Sequence, residues 1–202
     1  MTSVVVVDHG AGNLVSISQG LAVSGADVEI SADPGAIAMA DGVILPGVGS
    51  AGTVMGGISA AGLADTLRGL RVPVLGICVG MQVLFDSSDE DGTQCLGVIP
   101  GVVRRLEDTP RLPHIGWNDV DGSHPLLAGT DGCFYFVHSF APVPSDPDVI
   151  VGLTDYEDVF VSAVASKNYY GVQFHPERSG PAGLRLLANF VSLCGAQVSF
   201  VT

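Results

Sequence analysis

Val72-Pro73-Val74-Leu75-Gly76-Ile77-Cys78-Val79-Gly80-Met81-Gln82-Val83-Leu84-Phe85 starts as an apolar β-branched run and reads as a helix from Met81 to Phe85. Gly76 and Gly80 frame Cys78 at the junction. Two glycines at that spacing let a strand turn sharply into a helix, the nucleophile-elbow pattern with sulfur in place of a hydroxyl. A thiol presented at a helix N-terminus is biased toward its thiolate, and the Val79 amide would point into the same space as a donor for an oxyanion. A lone cysteine at a tight turn is more commonly a small core residue. The flanking glycines weigh against that reading, but a nucleophile also needs a base.

Outward from the elbow, the same alternation recurs. Val4 to Val7 is followed by the turn Asp8 to Asn13 and by Leu14, Ile17 and Leu21 at helical spacing. Val28 to Ile30 and Val43 to Leu45 are further apolar runs, and Val54, Ile58 and Leu67 mark a helical stretch before the elbow strand. Alternating strands and helices imply a mostly parallel sheet flanked by helices. After Phe85 the runs Val98 to Arg104, Phe134 to His138, Val149 to Val151, Val159 to Ala165 and Tyr170 to His175 follow one another without long helices, so the second half adds mixed or antiparallel strands. A closing helix from about Gly180 to Leu193 places Leu184, Leu187 and Phe190 on one face. The expected fold class is α/β, with residues 1–202 as one domain.

Composition narrows the function. The chain has 202 residues, 47% apolar and 14% charged, a balance that supports a packed core. Its net charge of −13, with no Lys or Arg before Arg68, repels duplex nucleic acid and anionic membranes. Gly42 to Ala64 carries no charge over 23 residues, but seven are Gly and one is Pro46, which favours a turn and an ordinary helix over a membrane span. Asp8 interrupts the first apolar run, so no secretory signal is read and a cytoplasmic location is expected.

Cys78, Cys95, Cys133 and Cys194 form no Cys-x-x-Cys pair, and the histidines show no His-Glu-x-x-His spacing. His9, His114 and His124 read as hydrogen-bonding or surface residues, and no metal or other cofactor is expected. Gly47-Val48-Gly49-Ser50-Ala51-Gly52 fits a dinucleotide fingerprint, yet the next strand ends on Cys78 where an acidic ribose ligand belongs. Those glycines read instead as freedom to aim an amide at an oxyanion. Trp117, the single tryptophan, lies between Gly116 and Asn118 in what reads as a turn, and tryptophan is enriched among interface anchors.

The base is found in Gly171-Val172-Gln173-Phe174-His175-Pro176-Glu177. On an extended strand, residues two apart share a face, so Glu177 can orient His175 as a proton acceptor for Cys78. Cys78, His175 and Glu177 then make a triad in that chain order.

With these residues the sequence resembles the class I, or triad, glutamine amidotransferases, and more narrowly the glutaminase subunits of imidazole glycerol phosphate synthase. The matching segments are Gly10 to Asn13, Pro46 to Gly49, Cys78 to Gln82, His114 to Asn118, Tyr135 to Ser139 and His175 to Gly180. The resemblance implies hydrolysis of L-glutamine at Cys78, an oxyanion site from the amides of Val48, Gly49 and Val79, and a substrate pocket with Gln82, His138, Ser139 and Phe140. It also implies a heterodimer with a cyclase subunit that uses the ammonia in histidine biosynthesis, with Asn13, His114, Trp117, Asn118, Tyr135 and Arg178 on the partner face. Two positions depart from the subfamily pattern: Arg178 stands where Lys is usual, and Phe140 where Tyr is usual. The second removes a hydroxyl near the expected pocket. Two other readings stay open, a glutaminase serving another synthase, such as that for pyridoxal phosphate, and a catalytically silent regulatory subunit.

Overall fold

The structure, a computed structural model, describes residues 1–107 and 111–198. The first half runs β1 (Thr2–Val7), α1 (Leu14–Val23), β2 (Ala26–Ser31), α2 (Pro34–Met39), β3 (Gly42–Gly47), α3 (Ala51–Ala60), α4 (Ala64–Gly69), β4 (Val74–Cys78) and α5 (Val79–Gln82). Next come β5 (Ser87–Ser88), β6 (Thr93–Gln94), β7 (Gly101–Arg105), β8 (His114–Asn118), β9 (Asp121–Gly122), β10 (Phe134–His138) and β11 (Phe140–Pro144). The chain closes with β12 (Ile150–Tyr156), β13 (Asp158–Ser166), β14 (Tyr169–Val172) and α6 (Gly180–Val198).

The main sheet has the order β2-β1-β3-β4-β14-β13-β12-β9. Strands β1 to β4 and β14 pair in parallel, and the remaining pairs are antiparallel. Every residue of β3 and β4 is buried, as expected of central strands covered on both faces. The α/β reading therefore holds, antiparallel extension included. A β11-β7-β5-β6 sheet and a β8-β10 ribbon pack beside it.

Three details differ from the sequence reading. Gly62, at φ +67, breaks the expected helical stretch before β4 into α3 and α4. The helix α6 turns Leu186, Leu187, Phe190 and Cys194 inward and leaves Leu184 39% exposed, so its buried stripe is rotated from the one expected. Cys194 fits there because Gly42 has no side chain: a Cβ on Gly42 would lie 2.2 Å from the Cys194 sulfur. Burial pushes the Cys194 thiol up to about 12 and that of Cys95 up to about 11, which keeps both unreactive. Cys133, by contrast, is exposed and donates to Asp119 Oδ1 at 3.1 Å.

Trp117 lies on a strand, β8, where the sequence suggested a turn. Strand β10 pairs with β8, while the Tyr135 carbonyl accepts from the His175 amide and Ser179 Oγ accepts from the Tyr135 amide. These bonds fasten the ribbon to the chain just beyond β14. They bring Val137 and His138 over the end of β4, where the elbow lies.

Candidate active site

Cys78 adopts φ 55° and ψ −115°, a left-handed conformation that costs a side-chain-bearing residue on the order of 1–3 kcal/mol. Close packing holds it there. A Cβ on Gly76 would meet the Gly80 carbonyl oxygen at 2.6 Å, and one on Gly80 would meet the Leu45 carbonyl oxygen at 1.9 Å. The glycines therefore let the turn press against β3 as well as letting the chain reverse. The following helix is shorter than expected: α5 is four residues, Val79–Gln82. One turn of aligned peptides gives the sulfur less dipole support than a full helix would.

His175 precedes a one-turn 3-10 helix, Pro176–Arg178, because β14 ends at Val172. The proximity of His175 to Glu177 thus comes from a tight turn and not from strand alternation, since Pro176 fixes the bend. His175 Nδ1 donates to Glu177 Oε1 at 2.9 Å, with the Glu177 side chain fully buried. That bond leaves His175 Nε2 buried and without a hydrogen-bond partner. Burial pushes the imidazole pKa down, but the Cys78 sulfur and the Glu177 carboxylate outweigh this and raise it to about 10.

This shift has a measurable sign. A histidine held above its ordinary 6.5 stabilises the fold fully below that pH, and the contribution is lost as pH rises through about 10. Unfolding by urea at fixed temperature is expected to become easier between pH 7 and 10, and the Glu177→Gln chain should show a flatter decline. Parallel curves for the two chains would remove Glu177 as a source of the shift.

Two cavities meet at the sulfur. One, of about 200 Å³, is lined by Gly49, Cys78, Val79, Gln82, Glu90, Val137, His138, Ser139 and Phe140, among others. The other, of about 340 Å³, shares Gly49, Cys78, Val79 and Val137 and adds Asn13, Val48, His175, Glu177 and Arg178. The three expected oxyanion residues therefore border Cys78, with Gly49 already at φ +85. The His9 ring Nε2 donates to the Pro46 carbonyl at 2.7 Å, anchoring the start of that turn.

Phe140 lines the first cavity and is held by its backbone. Its carbonyl accepts from Gln82 Nε2 and from His138 Nδ1, each at 2.9 Å. Both bonds are independent of a ring hydroxyl, so Phe in place of Tyr leaves them intact. His138 is held neutral, its pKa lowered to about 3 chiefly by burial. With Nδ1 protonated, its Nε2 accepts from His114 Nδ1 at 3.2 Å.

Sequence reasoning missed Glu90 and Gln173. The Glu90 carboxylate lines the first cavity and accepts from the Ala51 amide at 2.9 Å. It thereby places an acid at the start of α3, where the Gly47 to Gly52 fingerprint would have put a phosphate. Gln173, wholly buried, donates to Cys78 Sγ at 3.7 Å. Its adjacency to the His175 segment was the available signal.

The partner-face residues divide by strand alternation. Ile115 and Trp117 of β8 are 59% and 58% exposed, whereas His114 is 2% exposed and stacks on Tyr156 and Phe136. His114 as a surface contact is thus corrected: it supports His138 from inside. Asn118, half-buried, donates to the Asp155 carbonyl at 2.8 Å and ties β8 to β12. Tyr135 lies opposite Trp117, and the Arg178 guanidinium sits 4.4 Å above the Tyr135 ring. Asn13 begins α1 without using its side chain as a cap.

Comparison with known proteins agrees with this geometry. The family described as glutamine amidotransferase class-I matches residues 5–194. The chain belongs to the class-I glutamine amidotransferases. It is 46% identical to imidazole glycerol phosphate synthase subunit HisH of Halobacterium salinarum, over 96% of this chain and 95% of that protein. It is 44% identical to the HisH subunit of Dehalococcoides mccartyi, over 94% and 97%. A solved structure described as a glutamine amidotransferase shares the fold at TM-score 0.72 and 22% identity, over 95% of this chain and 98% of that one. Among the described residues of this class-I amidotransferase, no cluster of ligating side chains fits a metal and no helix is long and apolar enough to cross a membrane.

Proposed function

We propose that the chain is the glutaminase subunit of imidazole glycerol phosphate synthase, a single cytoplasmic domain spanning residues 1–202 that pairs with a cyclase subunit. The observation that carries this reading is the position of Cys78 at the meeting point of two cavities, one lined by Gln82, Glu90 and His138, the other reaching the rim at Asn13 and Arg178. Glutamine occupies the first, with its side-chain amide at the sulfur, and ammonia leaves through the second.

The Cys78 thiolate attacks the carboxamide carbon, and the His175 imidazolium gives its proton to the departing nitrogen. Ammonia and a glutamyl thioester result. Acylation removes the charge on sulfur that helped hold the His175 proton, so the imidazole becomes free to deprotonate water. That water releases glutamate and restores the Cys78 thiolate and the His175 imidazolium. The amides of Val48, Gly49 and Val79 stabilise the oxyanion of both steps, each such donor being worth about 3 kcal/mol in comparable sites. The reaction balances with glutamine and water alone.

Glu90 supplies an anion to the first cavity, suited to the substrate α-ammonium. Glu90→Gln is expected to raise KM for glutamine by about tenfold, the loss of one charge-assisted hydrogen bond, with a smaller change in kcat. Steady-state glutamate release checks this, and an unchanged KM would remove Glu90 from the substrate site.

The outer face of the β8-β10 ribbon, with Ile115, Trp117, Tyr135 and Arg178, is the proposed cyclase surface. It joins an apolar aromatic patch to one of only eight basic residues, a composition suited to an interface anchor and a partner carboxylate. The decisive experiment measures glutamate release by the purified chain with and without the cyclase subunit. Stimulation in the complex, weakened by Arg178→Ala with the fold unchanged, supports the reading. Equal activity with and without the cyclase would overturn the partner assignment. The intact triad speaks against a silent regulatory subunit, and the Pro46 to Gly49 and Gly116 to Asn118 segments speak against a pyridoxal phosphate glutaminase.

A further inference from the structure

We infer that Gln173 is a positioning residue for the nucleophile: its side-chain N–H is the last donor of a hydrogen-bond chain of fixed polarity that ends on Cys78 Sγ. This rests on Cys78 being the nucleophile and adds a residue to its support.

The polarity follows from one atom that has no choice. The Phe140 carbonyl can only accept, so the Gln82 atom 2.9 Å from it is the amide nitrogen. The second hydrogen of that nitrogen points at the Gln173 side chain 3.0 Å away, which must therefore present its oxygen. The Gln173 nitrogen is left at the other end, 3.7 Å from Cys78 Sγ. A flipped Gln173 would set two amide nitrogens against each other and two acceptors, its oxygen and the sulfur, face to face. The arrangement is determined by bonding logic, although amide oxygen and nitrogen have nearly the same shape.

Gln173 is also firmly placed. It is completely buried, and its backbone amide donates to the Ser162 carbonyl on β13 at 2.9 Å, so the main sheet and not a loop sets its position. The sulfur needs such a donor. Besides the His175 ring, its other polar neighbour is the Val137 carbonyl at 3.9 Å, an acceptor that suits the thiol and opposes the thiolate. The single turn of α5 offers little compensation. A second consequence concerns Gln82: both its N–H groups are engaged inside the protein, so it offers the first cavity only its oxygen. Substrate must meet Gln82 with a donor.

The test is the pH dependence of Cys78 alkylation by iodoacetamide in the full chain, with labelled peptides separating Cys78 from the exposed Cys133. Gln173→Met keeps nearly the same volume but has no donor. The pH at half-maximal alkylation rate is expected to rise by about one pH unit, and kcat for glutamine to fall about tenfold, more than KM rises. Gln173→Glu still accepts from Gln82 but turns a carboxylate toward the sulfur, and should move the midpoint further in the same direction. Should both chains fail to fold, Gln82→Met breaks the chain one step earlier, frees Gln173 to turn, and should give a smaller shift of the same sign. Folded variants whose alkylation profiles coincide with the parent's would overturn the inference and leave Gln173 as packing. Glutamine hydrolysis persisting in Cys78→Ala would overturn the nucleophile reading instead.

Discussion

Replacing Cys78 with alanine is expected to lower glutamine hydrolysis by about 10⁴-fold or more while leaving the fold in place. The chemical step is a covalent attack by one sulfur, and no other thiol lies near the cavities: Cys95 and Cys194 are buried elsewhere and Cys133 is on the surface. Loss of a triad nucleophile elsewhere removes most of the catalytic power at once. The packing cost is small, because a sulfur at 3% exposure is worth on the order of 1 kcal/mol and alanine pays the same backbone strain at φ 55°. A complex carrying the mutant should still form imidazole glycerol phosphate from added ammonia, since only the source of nitrogen has been lost. Glutamate release within about tenfold of the parent's would end the triad assignment. Loss of ammonia-dependent synthesis would show that the elbow also supports the partner.

The second large effect is expected at His175. His175→Ala deletes the proton carrier and should cost about 10⁴-fold in kcat, whereas Glu177→Gln should cost ten to a hundred times less. The asymmetry follows from the geometry. Glutamine at position 177 can turn its carbonyl oxygen toward His175 Nδ1, 2.9 Å from the present carboxylate oxygen, and so preserve the tautomer. Its amide group would then replace Glu177 Oε2, which is buried without a partner, and this burial carries a penalty but does not remove the base. A Glu177→Gln defect as large as that of His175→Ala would mean that the carboxylate does more than orient the ring. Single-turnover measurements of thioester formation separate the two steps, because the imidazolium acts in the first and the neutral imidazole in the second.

Local patterns carried the fold class, and marked Cys78, His175 and Glu177 as the candidate triad, because each depends on short-range chemistry. The β-branched runs of β1, β3 and β4, the helical spacing of Leu14, Ile17 and Leu21, and the glycines around Cys78 need no distant contact to be read. His175 and Glu177 were likewise legible, although Pro176 brings them together through a turn that strand periodicity does not describe. What lay beyond the sequence is whatever depends on register between distant segments. His114 and Trp117 take opposite faces of β8 by alternation, but pairing with β10 decides which face lies beneath His138 and which is at the surface. Glu90 reaches the first cavity because the one-turn 3-10 helix it begins, Glu90–Gly92, packs on the start of α3. The link from Phe140 through Gln82 and Gln173 to Cys78 joins three segments of the chain. The sequence alone determined which groups can react, since that is a property of side chains and their immediate turns. Their protonation, their orientation and the sides from which substrate and partner approach were decided by tertiary packing, because burial and hydrogen-bond direction exist only once those segments meet.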